Sequence, residues 1–203
     1  MHLRAQALVL SVRQHGEHNA VVRCLTREMG LVAGYVRGGR SRAMRPVLQP
    51  ANLVMGEWRA RTEEQLAGLT VELIHSRAPL YSEALATAAL EWVTALTAVS
   101  LPESQPYPRL YGALDAMIGA IEAAPAARGW AVALARYEDL LLAELGYGLE
   151  ARPAVTADSG WPEILAALAV TGHAIEAHLL TDRRAEALAA RARLVDRLKR
   201  AVA

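Results

Sequence analysis

The chain has 203 residues, 53% of them hydrophobic, a formal net charge of +1 and a single cysteine, Cys24. That is apolar material for one or two cored domains, while a lone cysteine excludes an intramolecular disulfide and every zinc site built on two or more thiolates. No run of eighteen apolar residues is present, and the apolar stretch of MHLRAQALVLSVRQ is short and broken by Arg4 and Gln6, so neither a membrane span nor a secretory signal is expected and the chain reads as an untagged cytosolic protein.

Up to about residue 78 the apolar residues come in short β-branched runs, at 7–12, 21–25, 31–36, 52–58 and 66–74, which predicts five strands. The separators are turn chemistry: residues 15–19 (HGEHN), Met29-Gly30 and Gly38-Gly39. Pro46 and Pro50 bar a regular central strand between them, so residues 38–50 form a long loop. Five short strands in so little chain predict a small closed or partly closed antiparallel barrel. The oligonucleotide-binding (OB) barrel is the commonest such solution that also binds polyanions, and an SH3-like barrel fits nearly as well.

After Pro79 the spacing turns helical. Leu85, Ala88, Ala89, Trp92, Val93, Leu96 and Val99 recur at three and four residues, as do Leu110, Leu114, Met117, Ile118 and Ile121, and then Val132, Leu134, Tyr137, Leu140, Leu141 and Leu145. Proline and glycine at 102–108 and 125–129 separate these three helices, and Gly146-Tyr147-Gly148 ends the third. Two further helices, near 162–170 and 184–202, complete a bundle. The expected class is therefore α+β: a five-stranded barrel, OB-fold first and SH3-like as the alternative, over residues 1–78, followed by an all-α domain over 79–203.

The small net charge conceals an asymmetry: +5 through Arg77, −6 from Ala78 to Glu150, and +2 in the remainder. Such sign changes mark either a functional division or two domains that attract one another.

The most pointed segment is residues 36–45, VRGGRSRAMR, where Arg37, Arg40, Arg42 and Arg45 surround two glycines with no carboxylate among them. Guanidinium groups read phosphate through a planar donor fork and stay charged at any working pH, so the segment reads as a mobile anion-binding arm with polyanionic nucleic acid as its ligand. Arg59 and Arg61 would extend the track; Arg4, Arg13, Arg23 and Arg27 are secondary candidates. The barrel's aromatic residues, Tyr35 and Trp58, are either base-stacking platforms or core.

Catalytic patterns are weak. His173 and His178 are five apart and share a helical face poorly, and Glu138 and Asp139 are neighbours that point to different sides of a helix. Gly38-Gly39-Arg40-Ser41 lacks P-loop spacing, and Cys24 sits mid-strand, where a buried inert thiol is expected. No enzyme, metal or cofactor is called for.

Two long segments, EHNAVVRCLTREMGLVAGYVRGGR at 17–40 and RYEDLLLAELGYGLE at 136–150, together with Leu48-Gln49-Pro50, resemble the RecO family of bacterial DNA-repair proteins, and the resemblance covers nearly the whole chain. It implies a recombination mediator without enzymatic turnover, with an OB barrel ahead of a helical domain. It further implies binding to single- and double-stranded DNA, annealing of complementary strands, and loading of RecA with the help of RecR and single-stranded-DNA-binding protein. The tail of the latter would sit in a pocket of the helical domain or at its junction with the barrel, and the protein would be nucleoid-associated. Many members carry a four-cysteine zinc module after the LGYGL segment. Here residues 150–172, EARPAVTADSGWPEILAALAVTG, contain no cysteine and read as a shortened metal-free connection. Two other readings stay open: a protein adaptor whose arginine loop meets an acidic partner, and a small nucleotide-handling enzyme using the Gly38-Gly39 loop as an anion nest.

Overall fold

The structure, a computed structural model, describes residues 2–62, 65–124, 127–149, 154–180 and 185–202. Five strands come first: β1 (His2–His15), β2 (Asn19–Thr26), β3 (Gly30–Val36), β4 (Leu53–Arg59) and β5 (Gly68–His75). A short 3-10 turn (Ala78–Ser82) leads into α1 (Ala84–Ser100), α2 (Pro108–Ala123), α3 (Ala127–Glu144), α4 (Trp161–His178) and α5 (Ala185–Val202). Of the expected connection at 150–172, residues 150–153 lie outside the described residues, and 161–172 are the first turns of α4. That helix opens on Pro162 and on Glu163 accepting the Gly160 N–H at 2.7 Å.

The strands close into a barrel in the order β1-β2-β3-β5-β4, the OB arrangement. One feature departs from the expected all-antiparallel pairing: β3 and β5 run parallel, meeting at Tyr35 and Gly68. The exception follows from the order, because the β3–β4 connection crosses the barrel and β4 and β5 then form a hairpin, so β5 closes the ring in the same direction as β3. β1 is fourteen residues long because it serves two neighbours, β4 through residues 2–8 and β2 through residues 7–15. An irregularity between Val9 and Ser11 bends it.

That double duty explains the continuous apolar run at 7–10, where both faces are covered. Ala7 and Val9 point into the barrel with Val22, Cys24, Val54 and Trp58, whereas Leu8 and Leu10 join Leu25 and Leu31 against the helices. Trp58 is fully buried and settles as core. Its indole lies over Gly56 and Gly34, where an added Cβ would come within 2.3 Å and 2.8 Å of the ring.

α1 is the centre of the helical part, buried on most of its surface and packed against β1 on one side and α5 on another, while α2, α3 and α4 pack in succession. Barrel and helices are joined by polar contacts as well. Arg77, 6% exposed, donates to Ala51 O at 3.0 Å and to Asp115 at 3.3 Å, and its Nε stands 3.7 Å from Glu122. His75 meets Glu122 at 2.7 Å, and the Tyr81 hydroxyl donates to Pro50 O at 3.0 Å. Part of the alternation of charge along the sequence is therefore attraction across this junction.

A candidate nucleic-acid interface on the barrel cap

The loop carrying Arg37, Arg40, Arg42 and Arg45 is folded onto the barrel, which corrects the expectation of a mobile arm. Gly38, at φ +65°, makes a turn that a side chain would strain, and its N–H donates to Asn19 Oδ1 at 2.9 Å. Gly39 answers to a different demand, since a Cβ there would stand 2.8 Å from that of Ala20. Beyond the glycines, Met44, Arg45 and Leu48 donate backbone N–H groups to carbonyls three or four residues back at 2.9–3.1 Å. Leu48 is 2% exposed and enters the barrel core with Met44 and Val47 packed beside it, so the loop is the barrel's lid. Asn52, fully buried, fastens the far end by donating to Pro46 O at 2.7 Å and Val47 O at 3.1 Å while accepting the Arg77 N–H at 2.8 Å.

This anchoring turns apolar side chains in and leaves the four arginines out; all four are exposed. None of them forms an ion pair among the described residues. Among the described residues the Arg40 side chain reaches the Glu17 carbonyl alone, at 3.4 Å, and that of Arg45 the Arg40 carbonyl alone, at 3.2 Å. Because the Arg40 N–H donates to His18 O at 3.0 Å, the loop and the β1–β2 turn form one surface. Between them lies a groove of about 480 Å³ with Arg40 and Arg45 at its lip and Val12, Gln14, Leu48 and Pro50 in its walls.

Cross-strand pairing adds two residues that were hard to rank from sequence. Arg13, Val21 and Tyr35 are successive partners across β1, β2 and β3, so they share a face. Tyr35 is half-buried with His15 edge-on at 5.6 Å, and Arg13, two strands away on the same face, is exposed. The β4–β5 turn that bears the exposed Arg61 is tied to the same place, since Tyr35 N–H donates to Ala67 O at 2.8 Å.

The other candidate arginines lie elsewhere. Arg23 is turned to the helices: its guanidinium donates to Ala98 O at 2.6 Å and to Glu103 at 3.0 Å, over the half of the β2–β3 face that Leu25, Leu31 and the Ser104-to-Leu31 backbone bond already cover. Arg59 is exposed but paired with Glu57 at 2.6 Å; that arginine and His2, at 2.8 Å, hold the Glu57 carboxyl below the usual carboxylate range. Arg4 and Arg27 both line a separate cleft at the far end of β2.

Among the described residues no catalytic grouping accompanies this surface. Burial pushes the Cys24 thiol up to about 12, which leaves it a core residue and no nucleophile. His178 stacks on Tyr147 at 5.0 Å, and among the described residues no group of three or more His, Cys, Asp or Glu side chains could hold a metal. With Cys24 the only cysteine, and inside the barrel, the residues present do not fit a four-thiolate zinc site. Among the described residues no helix is long and apolar enough to cross a membrane.

One buried charge escaped the sequence reading. Glu138, 1% exposed, accepts from Trp92 Nε1 at 2.6 Å and from the Thr171 hydroxyl, and stands 3.7 Å from Arg191. Burial raises its carboxyl above the ordinary range against the opposing pull of Arg191, Thr171 and Trp92. It knits α1, α3, α4 and α5 together inside the helical core, so its role is structural.

Comparison with known proteins agrees with both halves of this molecule. The family described as "Recombination protein O N terminal" matches residues 1–77, and "Recombination protein O C terminal" matches residues 82–155. A DNA repair protein RecO of Gluconacetobacter diazotrophicus is 39% identical over 93% of this chain and 70% of its own length. The proteins of the same name from Rhodospirillum centenum and a Jannaschia species are 36% and 35% identical, over 96% and 100% of this chain and 94% and 98% of their own lengths. Those last two alignments extend over 238 and 243 positions, more than the 203 residues here, so these relatives carry residues opposite gaps in this chain. With both halves matched in order and relatives more than a third identical along almost their whole length, the chain belongs to the RecO family of DNA repair and recombination proteins.

Proposed function

We propose that this chain is a recombination mediator that binds single- and double-stranded DNA through the barrel cap, anneals complementary strands and has no enzymatic turnover. The observation that carries the reading is the cap itself: Arg37, Arg40, Arg42 and Arg45 are exposed, free of carboxylates among the described residues and presented by a loop that is rigidly tied down. Preorganised guanidinium forks engage phosphate without first being stripped from a partner. Arg13 and Tyr35 would continue the surface, the ring offering a base one stacking face. With so little aromatic area, phosphate contacts dominate and binding is largely indifferent to sequence.

The helical part suits protein partners. A groove of about 630 Å³ between α2 and α3 is walled by Met117, Val132, Tyr137 and Leu140, with the exposed Arg128 and Arg136 along it. Apolar walls with guanidinium groups along them suit a peptide that carries acidic and apolar residues, and this groove is our candidate for the tail of single-stranded-DNA-binding protein. Through that tail and RecR the protein would help load RecA at gaps, which places it with the nucleoid.

The test is a salt titration of binding to single-stranded and duplex oligonucleotides. Single-strand affinity should fall with a log-log slope of about −0.7 per phosphate contact and vary little with base composition. Affinity that ignores salt, or that vanishes for DNA while an acidic peptide binds the cap, would replace this reading with the adaptor one.

A further inference from the structure

We infer that the cleft between Arg4 and Arg27 is a second, weaker phosphate-binding site that holds another nucleic-acid strand while the cap holds the first. The inference rests on the DNA-binding reading of the cap. The cleft encloses about 460 Å³ and is lined by Arg4, Gln6, Arg27, Glu28, Met55 and Tyr111. Strand β1 supplies Arg4 and Gln6, the β2–β3 turn supplies Arg27, and α2 supplies Tyr111, so the site exists only because the helices dock on the barrel.

The two guanidinium groups are available. Arg4 lies opposite Glu57 in the β1–β4 ladder, the obvious carboxylate for it, but that carboxylate is already engaged by Arg59 and His2. Both Arg4 and Arg27 are exposed, and neither has an ion pair or a side-chain hydrogen bond among the described residues. Tyr111 adds a phenol that burial, with Asp115 and Glu28 nearby, pushes above its ordinary value, so it remains a protonated donor at any working pH. Among the described residues Glu28 is the one opposing charge in the wall. It leaves the cleft with less net positive charge than the cap, which is why this site should fill second.

Position makes the site distinct. The cap meets the barrel at His18, just before the eight-residue β2, and Arg27 follows directly after it, so the two sites stand roughly 25 Å apart along the strand. The β2–β3 face between them is closed by Leu25, Leu31 and the Arg23–Glu103 pair, which prevents one strand from running along it from cap to cleft. Two phosphate sites at opposite ends of one barrel are what a protein needs to present two strands to each other.

The test compares the full chain with two variants, Arg4→Ala/Arg27→Ala and Arg40→Ala/Arg42→Ala/Arg45→Ala, using complementary fluorescent oligonucleotides. The cleft variant should bind the first strand within about twofold of the parent, yet bind a second strand and anneal on the order of tenfold less well. Arg4→Lys/Arg27→Lys, which keeps the charges, should restore most of that loss and shows that folding is intact. Annealing unchanged in the cleft variant would overturn the proposal. So would a first-strand loss as large as that of the cap variant, which would make the two sites one track. Inorganic phosphate or a mononucleotide that saturates the cleft without displacing a second strand would also overturn it, by identifying a free-anion site. Failure of the cap variant to lose first-strand binding would instead sink the reading of the cap, and the two failures are distinguishable.

Discussion

The arginines of the cap and those of the interior are the same residue type in opposite surroundings. Arg37, Arg40, Arg42 and Arg45 project from a loop whose apolar side chains and backbone hydrogen bonds hold it to the barrel, and none has an ion pair among the described residues. Arg23, Arg77 and Arg191 point inward, each to a backbone carbonyl and a carboxylate together: Ala98 and Glu103, Ala51 and Asp115, Leu168 and Glu138. An inward guanidinium gives up most of its hydration and must be satisfied on several N–H groups at once, so its loss is felt as stability. An outward one retains its hydration and its charge for a ligand. The difference predicts that stability and DNA affinity will separate cleanly between the two sets.

The largest stability effect should come from the Glu138–Arg191 pair. Arg191 is pinned by Leu168 O at 2.5 Å, lies 5.7 Å over the Trp92 ring and covers Gly172 so closely that a Cβ there would meet its guanidinium. Glu138→Ala leaves that cation without its carboxylate and should cost about 3–5 kcal/mol in urea unfolding. Glu138→Gln keeps partners for Trp92 and Thr171 and should cost much less. It should also change the pH profile. Because the folded carboxyl is raised above its unfolded value, the parent's contribution from this group is fully present below the ordinary carboxylate range and is lost as pH rises through the folded value. The glutamine variant should lack that decline, and a profile identical to the parent's would show that Glu138 does not titrate in this window.

Next comes Arg77, almost wholly buried at the barrel–helix junction. Arg77→Met preserves the stem and the backbone bond to Asn52 but leaves Ala51 O and Asp115 unanswered, at about 2 kcal/mol. Arg23→Ala removes the bonds to Ala98 O and Glu103; since Glu103 is half exposed, about 1 kcal/mol is expected. Neither change should move single-strand affinity. A loss of DNA binding in Arg23→Ala with stability intact would return that residue to the interface and break the comparison.

Much of this was legible beforehand. Strand and helix periods are local, so all five strands and the helical bundle followed from spacing, and Gly38-Gly39 with Pro46 and Pro50 marked the β3–β4 loop. What spacing cannot give is which face of a strand another element will cover. Arg23 and Arg13 both stand on β-strands and read alike, yet Arg23 meets the helices and Arg13 stays in solvent on the face it shares with Val21 and Tyr35. The rigidity of the cap was equally hidden, because it depends on Leu48 entering a barrel formed by residues far away in sequence and on Asn52 reaching both Pro46 O and Val47 O. Glu138 escaped because its partners come from three other helices.

The smallest stability change, with the largest functional one, is expected at the cap. Arg40→Ala/Arg42→Ala/Arg45→Ala removes three exposed side chains whose described bonds are limited to Arg40 on the Glu17 carbonyl and Arg45 on the Arg40 carbonyl. The lid is held by Leu48, by Asn52 and by backbone hydrogen bonds that survive the substitutions, so each should cost no more than about 0.5 kcal/mol. For each phosphate that is no longer neutralised, the magnitude of the log-log salt slope should drop by roughly 0.7 on single strands and 0.9 on duplex, with affinity and annealing falling together. The informative measurement is the slope, because a misfolded variant would bind poorly in every buffer, whereas a folded variant short of guanidinium groups binds more weakly and is also less sensitive to salt. A triple variant that keeps the parent's slope, affinity and stability would make the cap a solvated lid and move the first-strand site to Arg13, Tyr35 and Arg61.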